Sequence, residues 1–277
     1  MRLKNASRLF DKTVFTDAYG TVTFKGQLDP FDFFKLDGAA VKRRALSTAP
    51  GVTIPARRTI KADDQVYLVG DQTPDHWAGS KIRNRYVLHG ADYLAQVRTV
   101  AEALADAAGL TAWVSRDWNK DTTDSRVSAE NISQYHMFFS SAEDVPDESV
   151  LTLSDGRNYL VQGTHRALSG FTDALANEIP EPVFETVSFA DRTYDPVADS
   201  FSSVTNNVRV MRIRWQEAFQ YLSRASVEFE RGDCLVFIPK GIVSPSANDT
   251  VPLSDGTWRV VSSIDNGTFY RVHLRRV

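Results

Sequence analysis

Short segments in which apolar and polar residues alternate dominate the chain, with turn-forming residues between them. This two-residue period is typical of strands that bury one face of a small sheet. The last such segment, residues 270–275, places Tyr, Val and Leu on one face and Arg, His and Arg on the other. We therefore predict a final strand with one buried and one hydrated face. Asn266-Gly267 predicts the turn of a C-terminal hairpin, whose other strand carries Trp258, Val260 and Ser262 on one face.

One segment has a helical period instead. Between Asp92, a candidate N-cap, and Gly109, a candidate stop, apolar residues recur at a spacing of three or four, namely Leu94, Val97, Ala101, Leu104 and Ala108. This pattern predicts one helix over 92–109 that packs a narrow apolar stripe on a sheet. Over residues 208–222 the pattern leaves a bulged strand and a short second helix open.

A short pattern recurs three times along the chain. It occupies residues 64–70 (DQVYLVG), 155–161 (DGRNYLV) and 255–261 (DGTWRVV), and the last two copies share a preceding Leu-Ser. An Asp-Gly turn that leads into a strand with an aromatic residue suits the corner of a compact barrel. The repeat therefore predicts a mainly β (α+β) fold of tandem small β-barrel modules with one packed helix.

Prolines and glycines indicate where these modules meet. Pro180 and Pro182 favour extended, unpaired backbone, and a weaker boundary lies at His89-Gly90-Ala91. We predict an N-terminal β-module over 1–91, a middle α/β module over 92–180 and a C-terminal β-barrel over 181–277. The sequence leaves open whether the first two modules share one core.

The composition is that of an ordinary globular protein. Of 277 residues, 42% are hydrophobic and 24% charged, which excludes disordered and fibrous classes. The net charge of -3 provides no overall basic field for a polyanion. The single cysteine, Cys234, lies in an apolar run and is expected to be a small buried side chain rather than a reactive thiol. We expect no signal peptide, because Asp11, Lys12 and Asp17 interrupt the start of the chain before an apolar segment could form. We expect no spanning helix, because no run of about eighteen apolar residues occurs.

Sequence signatures of catalysis and metal binding are missing. The chain has no Gly-rich phosphate loop, no Gly-x-Ser-x-Gly elbow, no His-Glu-x-x-His motif and no cysteine pair for zinc. We expect a protein that is not an enzyme and that binds no cofactor or metal. An acidic group at Asp117, Asp121 and Asp124 leaves a metal-dependent hydrolase open as an alternative.

Charge is divided unequally along the chain. Residues 1–92 hold 15 Lys and Arg against 10 Asp and Glu, whereas residues 93–180 hold 6 against 13. The candidate partner-binding residues are basic in the first segment and acidic in the second: Lys42, Arg43, Arg44, Arg57 and Arg58, and Glu143, Asp144, Asp147 and Glu148. The distribution predicts complementary faces on neighbouring subunits, with an uneven hydrated surface as the equal alternative.

The C-terminal third has an ordered set of features. Arg-Thr-Tyr-Asp-Pro at 192–196 opens a polar segment, an alternating strand follows, and Glu-Arg-Gly-Asp at 230–233 leads into an apolar strand. The third repeat copy and the arginine-bearing final strand complete the order. In this order residues 181–277 resemble the head-closure, or head-tail stopper, proteins that close the neck of tailed bacteriophages.

That resemblance implies a structural virion protein that forms a homo-oligomeric ring between portal and tail. A loop from each barrel would project into a channel through which DNA passes. The candidate channel-loop residues belong to a polar loop predicted over 191–206: Tyr194, Asp195, Asp199, Ser202 and Asn206. The implied partners are the portal or adaptor and the tail proteins, with non-specific contact to passing DNA, no membrane, and assembly in the host cytoplasm.

Two other functions stay open. About 180 residues precede the barrel, where the family has a single short module, so a tail-end or baseplate position is an alternative to the neck. A carbohydrate- or ligand-binding β-module is the other alternative, with Trp77 and Trp118 as candidate exposed aromatic residues.

Overall fold

A computed structural model describes residues 13–30, 43–55, 57–77, 80–118, 134–166, 170–195, 197, 199–214, 230 and 232–277. In this part of the chain the fold consists of three six-stranded antiparallel units and one short helix. The first two units are closed barrels, and the third is a barrel-like sheet. This confirms the mainly β architecture with one packed helix.

The first barrel contains β1 (Thr13–Asp17), β2 (Thr23–Pro30), β3 (Arg43–Thr48), β4 (Thr59–Ala62), β5 (Gln65–Trp77) and β6 (Ser80–Ala91). The second contains β7 (Tyr93–Thr99), β8 (Leu110–Trp118), β9 (Gln134–Ser140), β10 (Ser149–Leu153), β11 (Asn158–Arg166) and β12 (Phe171–Ile179), with α1 (Val100–Ala105) between its first two strands. The third unit contains β13 (Val183–Asp195), β14 (Ser200–Arg214), β15 (Cys234–Pro239), β16 (Thr250–Leu253), β17 (Gly256–Asp265) and β18 (Phe269–Arg276).

All three units have the same strand order, in which the first three strands are followed by the sixth, fifth and fourth. The three copies of the sequence repeat occupy the same place in each unit, at the turn from the fourth strand into the fifth. Gly156 and Gly256 take positive φ values of 84° and 144° there, which glycine adopts without the steric cost of a Cβ. The sequence repeat therefore corresponds to the same turn in each of the three units.

Each unit has its own apolar core, and further clusters join the units. Between the first and second barrels, Leu68 and Ala91 pack with Phe171 and Trp113. Between the second barrel and the third unit, α1 packs with strands of both units, including Ile179 and Phe237. Pro180 to Pro182 form the short connection between β12 and β13. The units are therefore in continuous side-chain contact along the described chain.

The helix is shorter than the sequence predicts. Residues 93–99 form strand β7, in which Ala95 and Val97 face the barrel core while Leu94 is 36% exposed. The helix starts only at the capping box of Thr99 and Glu102 and ends at Asp106 in the left-handed conformation, before Gly109. The prediction over 92–109 failed at its start because Ala95 and Val97, two residues apart, pack into the barrel core as alternate residues of a strand. It failed at its end because the chain leaves the helix at Asp106.

The C-terminal hairpin forms as predicted, but three of its details differ. Both faces of β18 are partly buried, because His273 is only 3% exposed on the face expected to be hydrated. The turn centres on Gly267 and Thr268, since the Asn266 N–H donates to the Phe269 carbonyl at 3.0 Å and Gly267 takes a φ of 86°. A bulge between Val260 and Ser262 shifts the register of the partner strand.

The predicted polar loop over 191–206 is a β-hairpin instead. Strands β13 and β14 pair continuously from Val183 and Arg212 to Asp195 and Ser200. In the described chain, strand β14 pairs with β15 through Met211 to Arg214, so residues 189–206 continue beyond that ladder as a two-stranded arm, with Phe189 at its base packed in the core of the third unit. We call this segment the β-arm. Seven residue pairs give it a length of about 20 Å. The prediction failed because a polar two-stranded ribbon has no apolar face to mark it as a strand.

Candidate functional site

The predicted basic residues lie in two places. Arg43 and Arg44 belong to β3, with Arg44 exposed, whereas Arg57 and Arg58 precede β4 at the contact with the second barrel. Lys42 lies outside the described residues. Arg57 and Arg58 both engage acidic groups.

Arg57 binds the predicted acidic residue Glu143 within the same chain. Its guanidinium lies 2.7 Å from Glu143 Oε1, stacks at 3.6 Å over the Tyr19 ring and donates to the Thr111 carbonyl at 2.7 Å. Ser140 Oγ donates to the Arg57 carbonyl at 2.6 Å. Burial raises the pKa of Glu143, which is only 6% exposed, and the Arg57 hydrogen bond opposes that rise. This arrangement, which we call the Arg57 clamp, joins the first two barrels.

A second polar contact at the same boundary centres on Asp71. Arg58 and Arg166 approach its Oδ1 at 3.5 and 3.1 Å from the two barrels. Gly170 lies against this carboxylate with a φ of 79°, and a Cβ there would come within 2.2 Å of Asp71 Cγ. Glycine at position 170 therefore allows the barrels to approach.

The other predicted acidic residues have separate roles. Asp144 is exposed, and Asp147 accepts a hydrogen bond from Thr164 at 3.0 Å. Glu148, at a positive φ of 59°, lies 3.3 Å from Arg271 of the third unit and accepts a hydrogen bond from Asn266. Arg57, Glu143 and Glu148 thus form ion pairs between units of the same chain. Their role toward a neighbouring subunit stays a prediction.

The predicted channel residues are grouped on the β-arm. Tyr194 and Asp195 end β13, Ser202 and Asn206 lie in β14, and Asp199 lies in the turn with a φ of 46°. Val197 at this tip is 95% exposed. Between residues 190 and 206 the sequence carries Asp191, Arg192, Asp195 and Asp199, so the arm is acidic by two charges. These residues form one projecting acidic element.

Sequence reasoning missed an arginine that is bound to the repeated Asp-Gly turn. In the second barrel Arg116 of β8 lies 3.2 Å from Asp155 and donates to the Tyr159 and Tyr93 hydroxyls at 2.6 and 2.7 Å. In the third unit Arg212 of β14 lies 2.7 Å from Asp255 and 3.1 Å from Glu185. Each arginine is on the second strand of its unit. The aspartates were visible in the repeat, but their partners lie 39 and 43 residues away.

A buried charge cluster in the third unit was also missed. Asp233 Oδ2 lies 2.7 Å from His273 Nε2 and 3.0 Å from Arg275, and it accepts the Glu230 N–H at 2.7 Å. Burial raises the pKa of Asp233, but these hydrogen bonds outweigh it and the pKa lies below the ordinary value. Burial lowers the pKa of His273 despite the nearby carboxylate. The geometry holds β18 to the start of β15.

The single cysteine and the candidate acidic group near Asp117 can also be compared with the structure. Cys234 is 1% exposed, and burial raises the pKa of its thiol to about 12, so it is a core residue as expected. Asp117 lies 3.5 Å from His89, whereas Asp121 and Asp124 lie outside the described residues, as does the segment 215–222. Within the described ranges no three His, Cys, Asp or Glu residues are grouped to hold a metal ion. No helix in those ranges is long and apolar enough to cross a membrane.

Comparisons with protein-family models, with curated proteins and with solved structures give no match for this chain.

Proposed function

We propose that this chain is a non-enzymatic structural protein of a tailed-phage virion, which assembles as a ring at the head-tail connector, contacts the portal and tail proteins, and surrounds the passing DNA. The proposal starts from the resemblance of residues 181–277 to head-closure proteins. A tail-end or baseplate ring is the alternative position, and assembly in the host cytoplasm is part of the same proposal.

The β-arm is the observation that carries this proposal. A hairpin about 20 Å long that pairs with no other strand in the described chain offers two backbone edges to a neighbouring copy. Its acidic character also suits a channel lining, because like charge keeps DNA phosphates from binding tightly and lets the duplex slide.

The clamps between units support a structural role as well. The Arg57 clamp and the Glu148–Arg271 pair join three barrel-like units within one chain. A ring that transmits load between head and tail needs subunits whose parts do not move independently. Heterologous contacts between such copies close a ring when the rotation between them divides a full turn.

Native mass spectrometry and sedimentation of the full chain test this proposal. The wild type is expected to form closed oligomers, alone or with portal and tail proteins. In the test variant an Asn-Gly turn replaces residues 191–204 and joins Ala190 to Thr205, which face each other in the ladder. This variant is expected to keep the circular dichroism spectrum of the wild type and to lose assembly.

A matched control shortens the other long hairpin. An Asn-Gly turn replaces residues 75–83 and joins Pro74 to Asn84, which are also ladder partners. This control is expected to assemble. A wild-type chain that stays monomeric under all these conditions and is absent from purified virions by immunogold microscopy would contradict the proposal. Gold label at the distal tail end would place the ring there instead of at the neck.

A further inference from the structure

A cleft of about 830 Å³ separates the second barrel from the third unit. One wall is the outer face of β11 and β12, and the other is the turn between β17 and β18. The residues that matter for its chemistry are Asp147, Gln162, Leu175, Asn177, Thr268 and Arg271. The volume lies in the range of pockets that hold small ligands.

Asn177 in this cleft has an unused polar group. Its side chain is 2% exposed, and Oδ1 is buried with no hydrogen-bond partner in the described chain. Most buried polar side-chain atoms have at least one partner, so an unpaired amide in a cleft wall needs an explanation. A ligand hydroxyl or N–H that donates to Asn177 would supply the missing partner.

The surrounding groups are suited to an uncharged polar ligand. The Gln162 amide has only a long contact, 3.5 Å from Nε2 to the Leu160 carbonyl. The Thr268 side chain is exposed at the rim, and Leu175 adds a half-buried apolar surface. Amide and hydroxyl side chains can both donate and accept hydrogen bonds. They can therefore bind hydroxyl groups on a ligand, which also donate and accept.

The charges at the cleft disfavour an anionic ligand. Glu148 is neutralised by Arg271 at 3.3 Å, and Asp147 is exposed near the rim. An anion such as phosphate would meet the Asp147 carboxylate, because the charge of Arg271 is already offset by Glu148. A neutral ligand avoids this repulsion.

We propose that this cleft binds a neutral polyhydroxylated ligand of the monosaccharide or disaccharide class, with Asn177 and Gln162 as the hydroxyl-binding residues. The site lies within one chain and uses neither Trp77 nor Trp118. It is therefore independent of ring assembly and of the tryptophan-based hypothesis.

Saturation-transfer NMR on the full chain tests the site with a panel of neutral hexoses, N-acetylhexosamines and their disaccharides, and with inorganic phosphate as the anionic probe. At least one sugar is expected to bind saturably, and phosphate is expected neither to bind nor to compete. Asn177→Leu and Gln162→Leu are each expected to weaken that sugar at least tenfold. Gln96→Leu, which changes an exposed amide of the same barrel outside the cleft, is the matched control and is expected to bind normally.

Thermal unfolding separates lost binding from lost folding. Asn177→Leu removes a buried carbonyl oxygen that has no hydrogen-bond partner in the described chain, so its melting temperature without sugar is expected to equal or exceed that of the wild type. Added sugar is expected to raise the melting temperature of the wild type and of Gln96→Leu only. The proposal is overturned if no neutral sugar binds, if phosphate displaces the sugar, or if both cleft variants bind like the wild type.

Discussion

Buried charged side chains in this chain are bound to partners that are distant in sequence. His273, Asp233 and Arg275 form such a group at the start of β15, and the Glu230 N–H completes it. Because burial lowers the pKa of His273, the folded protein binds fewer protons there than the unfolded chain as the pH falls through that region. The stability of the third unit should therefore depend on pH.

The sign of this dependence follows from both shifts. The lowered pKa of His273 gives a stabilisation that is present above the ordinary value of 6.5 and is lost as the pH falls through the folded value. The lowered pKa of Asp233 acts in the same direction below its ordinary value of 3.8. We expect His273→Gln to flatten the decline in melting temperature between about pH 7 and pH 5, measured by calorimetry.

The exposed Arg259 of β17, in the same unit, provides the comparison for this experiment. Arg259→Gln removes one exposed positive charge and no imidazole, so it is expected to leave the slope of melting temperature against pH close to that of the wild type. Equal slopes for the wild type and His273→Gln would contradict the assignment.

At the scale of single elements, the turn into the fifth strand is the feature that recurs in all three units. Gly156 holds a φ of 84° there, and nothing lies within 4 Å of the position that a Cβ would occupy. We expect Gly156→Ala to lower the free energy of unfolding by about 1–2 kcal/mol through backbone strain alone, as measured by urea denaturation.

Gly163 of β11 is a control in the same barrel. A Cβ there also meets nothing within 4 Å, and the backbone lies outside the positive-φ region. Gly163→Ala is therefore expected to change the free energy of unfolding by less than about 0.5 kcal/mol. If the two variants were equally unstable, packing rather than turn conformation would be the cause.

At the scale of the whole molecule, polar clamps and small apolar clusters hold the units together. In the variant Arg57→Met the buried Glu143 loses its cation, and its folded pKa is expected to rise further. A carboxyl group whose pKa is higher in the folded than in the unfolded state makes the fold less stable as the pH increases. The loss of stability in Arg57→Met should therefore be larger at neutral than at acidic pH. We expect a loss of about 1–3 kcal/mol at neutral pH by urea denaturation.

Hydrogen exchange locates that loss. Amides on both sides of the clamp, near Tyr19 and near Ser140, are expected to lose protection together in Arg57→Met. Lys61→Met, which removes an exposed charge from the first barrel, is the control and should leave both regions protected. Loss of protection in one barrel alone would show that the clamp does not couple them.

Local pattern in the sequence was enough to predict the mainly β fold class, the repeated turn and the C-terminal hairpin. Alternating apolar residues indicate a strand and an Asp-Gly pair indicates a turn. Both signals involve only a few neighbouring residues, so they can be recognised without knowing which strands pair. Residues 93–99 were predicted as part of a helix, which was wrong because they form strand β7. The spacing of Leu94, Val97 and Ala101 favours a helix, but packing of Ala95 and Val97 in the barrel selects the strand.

The tertiary structure alone decided which charges meet. The sequence showed an excess of basic residues before an excess of acidic ones, and it predicted that these faces would bind between subunits. Folding brings Arg57 to Glu143 across 86 residues and Arg271 to Glu148 across 123. Such contacts depend on how closed units stack, which no short-range pattern encodes. The unpaired side-chain oxygen of Asn177 likewise depends on the tertiary structure, because it is buried beside the cleft between the second barrel and the third unit.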